Sequence, residues 1–189
     1  FNDKKYFFVI YRATIINQTT NGLAEPQLSA FASNNRYYDS TACTPFTYDT
    51  EKAEALLKEC GLADIDGDGI LEDSSGNHIE FSILTGSTDP VTHDYLNLII
   101  ADFEKCGIKA TIQSVDFNVI VQKLLHTYDW DCYLAGMSLP VFPEQWYNIW
   151  LSDGNLHYWH PKQKSPGTEW EKKLDTLYGS LIYTYDRDE

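Results

Sequence analysis

A chain of 189 residues is long enough for one sizeable core, or for a domain with a small appendage. Its 43% apolar and 22% charged residues are ordinary globular composition, and no apolar run approaches the ~20 residues that a membrane-spanning helix needs. A formal net charge of −14 argues against nucleic acid and anionic lipid as partners and suits a protein kept soluble outside the cell.

Phe1 is no start residue, and Asn2-Asp3-Lys4 lead into no signal-like apolar segment, so the sequence reads as an excised piece of something longer. Tyr6–Tyr11 (YFFVIY) is aromatic and β-branched, which favours a strand. Asn17–Gly22 has the makings of a helix end and turn, and a helix is the expectation for residues 1–24. Residues 26–47 lack any period and form a long loop, of the kind that is pinned to a surface or functional. Tyr48–Cys60 is the clearest helix: Asp49 or Thr50 caps it, Lys58 suits its last turn, and Gly61 ends it. Ala53, Leu56, Leu57 and Cys60 make its buried face.

Asp64–Asp73 (DIDGDGILED) places carboxylates at alternate positions ahead of a glycine, like the first half of a calcium loop. Asp64, Asp66 and Asp68 stand at positions one, three and five, but position twelve is Ser75, leaving Glu72 or Asp73 as substitutes. The plainer reading is a tight Asp/Gly turn leading into a hairpin. Both stay open: a structural calcium on Asp64, Asp66, Asp68 and Glu72, or no cofactor at all.

His78–Leu84 (HIEFSIL) alternates with the period of a strand. A helix-like run from Thr92 to Cys106 and a second strand at Ile108–Val115 complete a βαβ unit, which puts the strands parallel. A helical stripe follows at Phe117, Ile120, Val121, Leu124 and Leu125, then a short strand at Asp131–Ala135. Beyond Gly136–Gln145 come an aromatic helix (Trp146, Tyr147, Trp150) and a final helix, Thr168–Leu181. Its apolar face is Trp170, Leu174, Leu177 and Leu181, and Thr168 and Glu171 have capping-box spacing. The fold class is therefore α/β, a small mixed sheet with parallel βαβ units flanked by helices. Its α/β core spans 49–136, and Ile79–Leu84 is the central strand.

No catalytic motif is present: there is no HExxH, Gly-x-Ser-x-Gly or P-loop. An enzyme, such as a secreted hydrolase using the acidic loops, is the remote alternative. Cys43, Cys60, Cys106 and Cys132 lack CxxC spacing and read as small buried or half-buried thiols, with a Cys60–Cys106 bridge open. His157 and His160 are three apart and could hold a metal, although loop rings more often pack or face water. In α/β sheets ligands sit beyond the C-terminal strand ends, which points to the loops Thr85–Thr88 (with Gly86 and Ser87), Asp116–Asn118 and Gly136–Phe142. Phe142, Trp146, Tyr158 and Trp159 lie near enough in sequence to line pockets or stack on a sugar.

FNDKK, NGLAEP, YDTEKAEALLKECGL, DIDGDGIL, EKCGIKATIQSVDFN, YDWDCYLAG and WEKKLDTLY follow one another in an order that resembles the bacterial extracellular solute-binding proteins of the peptide/nickel class, family 5. The resemblance runs from Phe1 almost to the C-terminus. It implies the second lobe of a two-lobe periplasmic-binding-protein type II architecture, over 1–189. It also implies solute capture between lobes for an ABC importer, with oligopeptide as cargo and oligosaccharide as the alternative. The partners it implies are the membrane permease and the first lobe of the same chain. The location it implies is extracellular or periplasmic, with a lipid anchor on the full-length protein. Peptide-binding members carry a Gly-Trp and then an Asp, which pairs with the peptide's α-amino group, in the loop after the YDWDCYLAG-type strand. Here Met137 stands at the Trp position, the Asp position falls near Pro140, and Glu144 is the nearest acid. The ligand-binding residues that follow are Thr85, Gly86, Ser87, His126, Met137, Ser138, Leu139, Phe142, Glu144 and Trp146.

Overall fold

The structure, a computed structural model, describes residues 8–43, 45–86, 88–181 and 183. The chain separates into two compact units. The first takes the chain up to Leu28, Thr41–Ile120 and Trp130–Gly136; the second takes Ser29–Ser40, Val121–Asp129 and Met137 onward.

In the first unit, β1 (Glu80–Thr85) is the centre of a three-stranded sheet of order β2-β1-β3. Its neighbours are β2 (Lys109–Ser114) and β3 (Cys132–Tyr133), both parallel to it. The register runs Glu80 opposite Lys109 through Thr85 opposite Ser114 on one side, and Leu84 opposite Tyr133 on the other. A central parallel strand is covered on both faces, and Ile83, Leu84 and Thr85 are all buried. Among the described residues, antiparallel pairing is confined to two isolated bridges, Ala63 with Glu72 and Glu72 with His78. His78, expected at the start of the strand, thus pairs with the acidic loop instead.

Among the described residues, three helices of nine residues or more lie in this unit. α1 (Arg12–Thr20) is the helix expected in the first 24 residues; the expectation for residues 1–7 lies outside the described residues. α2 (Thr50–Glu59) starts on Asp49, whose carboxylate accepts from Lys52 N at 2.9 Å, and it buries Ala53 and Leu57. Cys60, expected on that buried face, is exposed. α3 (Pro90–Glu104) begins two residues earlier than expected, because Asp89 caps it and Pro90 fits its first turn. Asp102 of α3 is buried and accepts from both Tyr11 N and Lys105 Nζ at 2.7 Å, tying the start of α1 to α3. The core is Phe8, Val9, Ala53, Leu57, Ile83, Leu96, Phe103, Cys106, Ile108 and Ala110. All four cysteines stand as thiols, so the Cys60–Cys106 bridge does not form. Gly107 closes α3 with φ +71°, and a Cβ there would sit 2.9 Å from Leu71 Cγ and 3.2 Å from Gly69 O. The acidic loop is held against this turn, with Leu71 N donating to Gly107 O at 2.8 Å.

α4 (Phe117–Gln122) runs on into a π-helical turn, Lys123–Thr127. Phe117, expected on the apolar face, is 70% exposed. The second unit then carries a 3₁₀ turn (Pro143–Trp146), the short α5 (Tyr147–Trp150) and α6 (Glu169–Leu181). The capping box of α6 forms: Glu171 N donates to Thr168 Oγ1 at 3.3 Å and Thr168 N to Glu171 Oε2 at 2.9 Å. Its expected buried face differs, however. Trp170 and Leu177 are about half exposed, and the residue buried on α6 is Glu171.

Candidate functional site

Because β1 and β3 are parallel and Leu84 lies opposite Tyr133, both strands end at the same edge of the sheet. Thr85 and Gly86 leave β1 there, beside the start of α4. An added Cβ on Gly86 would meet Ile120 Cδ1 at 2.9 Å and Phe117 Cα at 3.8 Å. Thr85 is 1% exposed, so its side chain belongs to the packed sheet and offers a ligand little surface. Gly86 is exposed and Ser87 lies outside the described residues. Phe117 and Val119, by contrast, present apolar surface at this edge. The helical stripe and the loop Asp116–Asn118 beyond the second strand both include Phe117, and its 70% exposure agrees with the loop reading.

The remaining expected ligand residues lie in the second unit, on separate features. Residues 137–142 form a ridge: Met137, Leu139, Val141 and Phe142 are each 43–59% exposed, and Ser138 is exposed between them. Polar side chains hold the ridge from beneath. Asn35 Nδ2 donates to Pro140 O and Val141 O at 3.2 Å, and Gln145 Oε1 accepts from Val141 N at 2.6 Å and Phe142 N at 3.1 Å. With its backbone fixed in this way, the segment shows its apolar side chains to solvent. Glu144 is exposed on the turn that follows. Burial pushes the Tyr178 hydroxyl up, and the Glu144 carboxylate adds to the effect, while the hydroxyl donates to Pro143 O at 3.0 Å.

Trp146 faces an apolar cavity of 430 Å³, with Phe31, Pro140, Trp150, Leu174 and Leu177 on its walls. His126, on the π-helical turn, lines a different, more polar hollow of 320 Å³ with Tyr128, Asp153, His157, Tyr158 and Lys162. The structure therefore does not bring His126 and Trp146 to one pocket.

His157 and His160 do not converge as a metal pair. His157 is 2% exposed, with Nδ1 3.1 Å from Ile149 O and Nε2 3.4 Å from Glu171 Oε1. Glu171 is the hub of this region. It accepts from Trp159 Nε1 (3.1 Å), Gln163 Nε2 (3.3 Å), Gly167 N (2.8 Å) and Thr168 N (2.9 Å). Burial pushes its carboxyl up, but these donors outweigh it and bring the pKa down to about 2.

The acidic loop keeps three of its four expected ligands together. Asp66, Asp68 and Glu72 gather with His78, their ligating atoms all within 4.8 Å of one another. Asp64 lies outside this group, because its two oxygens accept from Gly67 N (2.8 Å) and Gly69 N (3.1 Å) and close the loop.

Residues 8–158 match the family of bacterial extracellular solute-binding proteins, family 5, in its middle region. The chain belongs to this family. It is 30% identical over 143 residues to the oligopeptide-binding protein AppA of Bacillus subtilis, covering 75% of this chain and 26% of that protein. It is 25% identical over 166 residues to a probable ABC transporter-binding protein of Deinococcus radiodurans, covering 81% of this chain and 28% of the relative. The chain thus spans about a quarter of the length of these family 5 relatives. The solved structure of AppA in complex with a nonapeptide superposes with a TM-score of 0.72 at 25% identity, over 96% of this chain and 40% of that one. An oligopeptide-binding protein OppA shares the fold with a TM-score of 0.80 at 22% identity, over 100% of this chain and 34% of its own.

Proposed function

We propose that this chain is one wall of the ligand cleft in a longer extracellular or periplasmic solute-binding protein. That protein delivers an oligopeptide to the permease of an ABC importer and catalyses nothing. The reading is supported above all by the 30% identity to oligopeptide-binding protein AppA over three quarters of the chain. The ridge fits such a role. Met137, Leu139, Val141 and Phe142 offer side-chain contacts to an extended peptide, and Glu144 is the acid nearest the ridge that can neutralise an α-amino group. The other wall comes from the rest of the longer chain, which a lipid anchor holds at the membrane. Capture follows from hinge closure of the two walls on the cargo.

An oligosaccharide is the second reading. It is favoured by the rings of Phe142 and Trp159, each close to half exposed and suited to stacking on a sugar.

Calorimetry on the full-length protein separates the two. A nonapeptide should bind, and Glu144→Gln should weaken it at least tenfold while leaving its N-acetylated form unchanged. Equal weakening of both peptides, or of neither, removes Glu144 from peptide recognition. Binding of a hexasaccharide in place of either peptide establishes the sugar reading.

A further inference from the structure

The acidic loop divides its oxygens between two tasks. Asp66 Oδ1 accepts from Asp68 N (3.1 Å), Asp68 Oδ1 from Ile70 N (2.8 Å) and Glu72 Oε2 from Ile65 N (2.6 Å). Each of these bonds shapes the loop. The second oxygen of each residue turns toward one point, where His78 Nε2 stands 3.9 Å from Asp66 Oδ2, 3.5 Å from Asp68 Oδ2 and 3.3 Å from Glu72 Oε1. The paired backbone of Glu72 and His78 fixes the two innermost groups side by side.

Glu72 supplies the independent observation. It is only 2% exposed, and its Oε1, aimed at the cluster, is buried with no hydrogen-bond donor. A buried carboxylate oxygen is ordinarily satisfied by a donor or a cation. Three carboxylates converging on one imidazole leave a strongly negative point for a cation to occupy.

We propose that Asp66, Asp68, Glu72 and His78 bind a divalent first-row transition ion of the zinc or manganese type, which clamps the acidic loop to the entry of β1. The donor set decides the class. Calcium takes six to eight oxygens and closes its loop with a bidentate Glu at position twelve, where this chain has Ser75. Imidazole suits the transition ions, and carboxylates are shared by both. The spacing also fits: a tetrahedral ion with bonds of about 2.0–2.1 Å sets its ligand atoms about 3.4 Å apart. The contacts of 3.3, 3.5 and 3.9 Å around His78 lie within about half an ångström of that spacing, and the four ligand atoms, all within 4.8 Å of one another, draw together by up to about 1.4 Å on the ion.

The test is calorimetry on the full-length protein after chelator treatment and dialysis, titrated separately with ZnCl₂, MnCl₂ and CaCl₂. One Zn²⁺ or Mn²⁺ per chain should bind at least tenfold tighter than Ca²⁺. His78→Gln and Asp66→Asn should each weaken it at least tenfold, whereas His126→Gln with His160→Gln should not. Buried Glu72 is left intact, and circular dichroism of the two exposed-site variants should overlay the parent. Cobalt substitution gives a second readout, since its visible bands should shift in His78→Gln. Failure to bind one Zn²⁺ or Mn²⁺, Ca²⁺ binding as tight or tighter, or binding that survives His78→Gln would each overturn the site.

Discussion

Substituting Glu171 tests the second unit most directly. The group sits 3% exposed among four hydrogen-bond donors and His157. Its carboxyl titrates near 2 when folded, against 4.5 ordinarily. Holding a carboxyl that far down is worth about 3 kcal/mol of stability at neutral pH. The folded pKa is depressed, so this stability is complete above 4.5 and declines as pH falls toward 2, with about 2 kcal/mol of it gone by pH 3. In Glu171→Gln the charge is lost and an NH₂ faces N–H donors. We expect unfolding, followed by tryptophan fluorescence in urea, to show a loss of about 3 kcal/mol at pH 7. The gap between the two proteins should then narrow to about 1 kcal/mol at pH 3. Four of the five tryptophans (Trp146, Trp150, Trp159 and Trp170) lie in the second unit and report on it. A gap of equal size at both pH values would mean that charge at Glu171 is not what holds the region.

Two further substitutions probe the first unit. Gly107→Ala forces a side chain into a left-handed conformation and against Leu71, and thermal unfolding should register a loss of at least about 1 kcal/mol. A neutral result would mean the turn relaxes freely. Asp49→Ala removes the side-chain cap of α2 and should cost about 1 kcal/mol, most of which Asp49→Ser restores.

Local signals carried much of the fold. The alternation in HIEFSIL located β1, the Asp49 and Thr168 caps located two helices, and the strand–helix–strand order implied parallel pairing. What the sequence hid depends on partners distant along the chain. Glu171 reads as an exposed capping residue, because nothing local says that Trp159 and Gln163 will cover it. His78 reads as the first residue of a strand, and only the bridge to Glu72 turns its ring to the carboxylates. Trp170 and Leu177 have the right spacing for a buried stripe, yet periodicity cannot say whether a face meets core or solvent. The ridge was legible as a loop beyond a strand, while its outward display rests on Asn35, a hundred residues earlier.

The path of the chain also constrains how the protein is made. It passes between its compact units at 28/29, 40/41, 120/121, 129/130 and 136/137. Neither unit is a continuous segment that can be excised at one cut. On the ribosome, β3 joins the sheet only after Val121–Asp129 has been synthesised, although that stretch belongs to the other unit. The first unit therefore waits, with one side of β1 unpaired, for residues about fifty positions downstream. Over that interval the open edge of β1 is the surface most in need of protection from other chains.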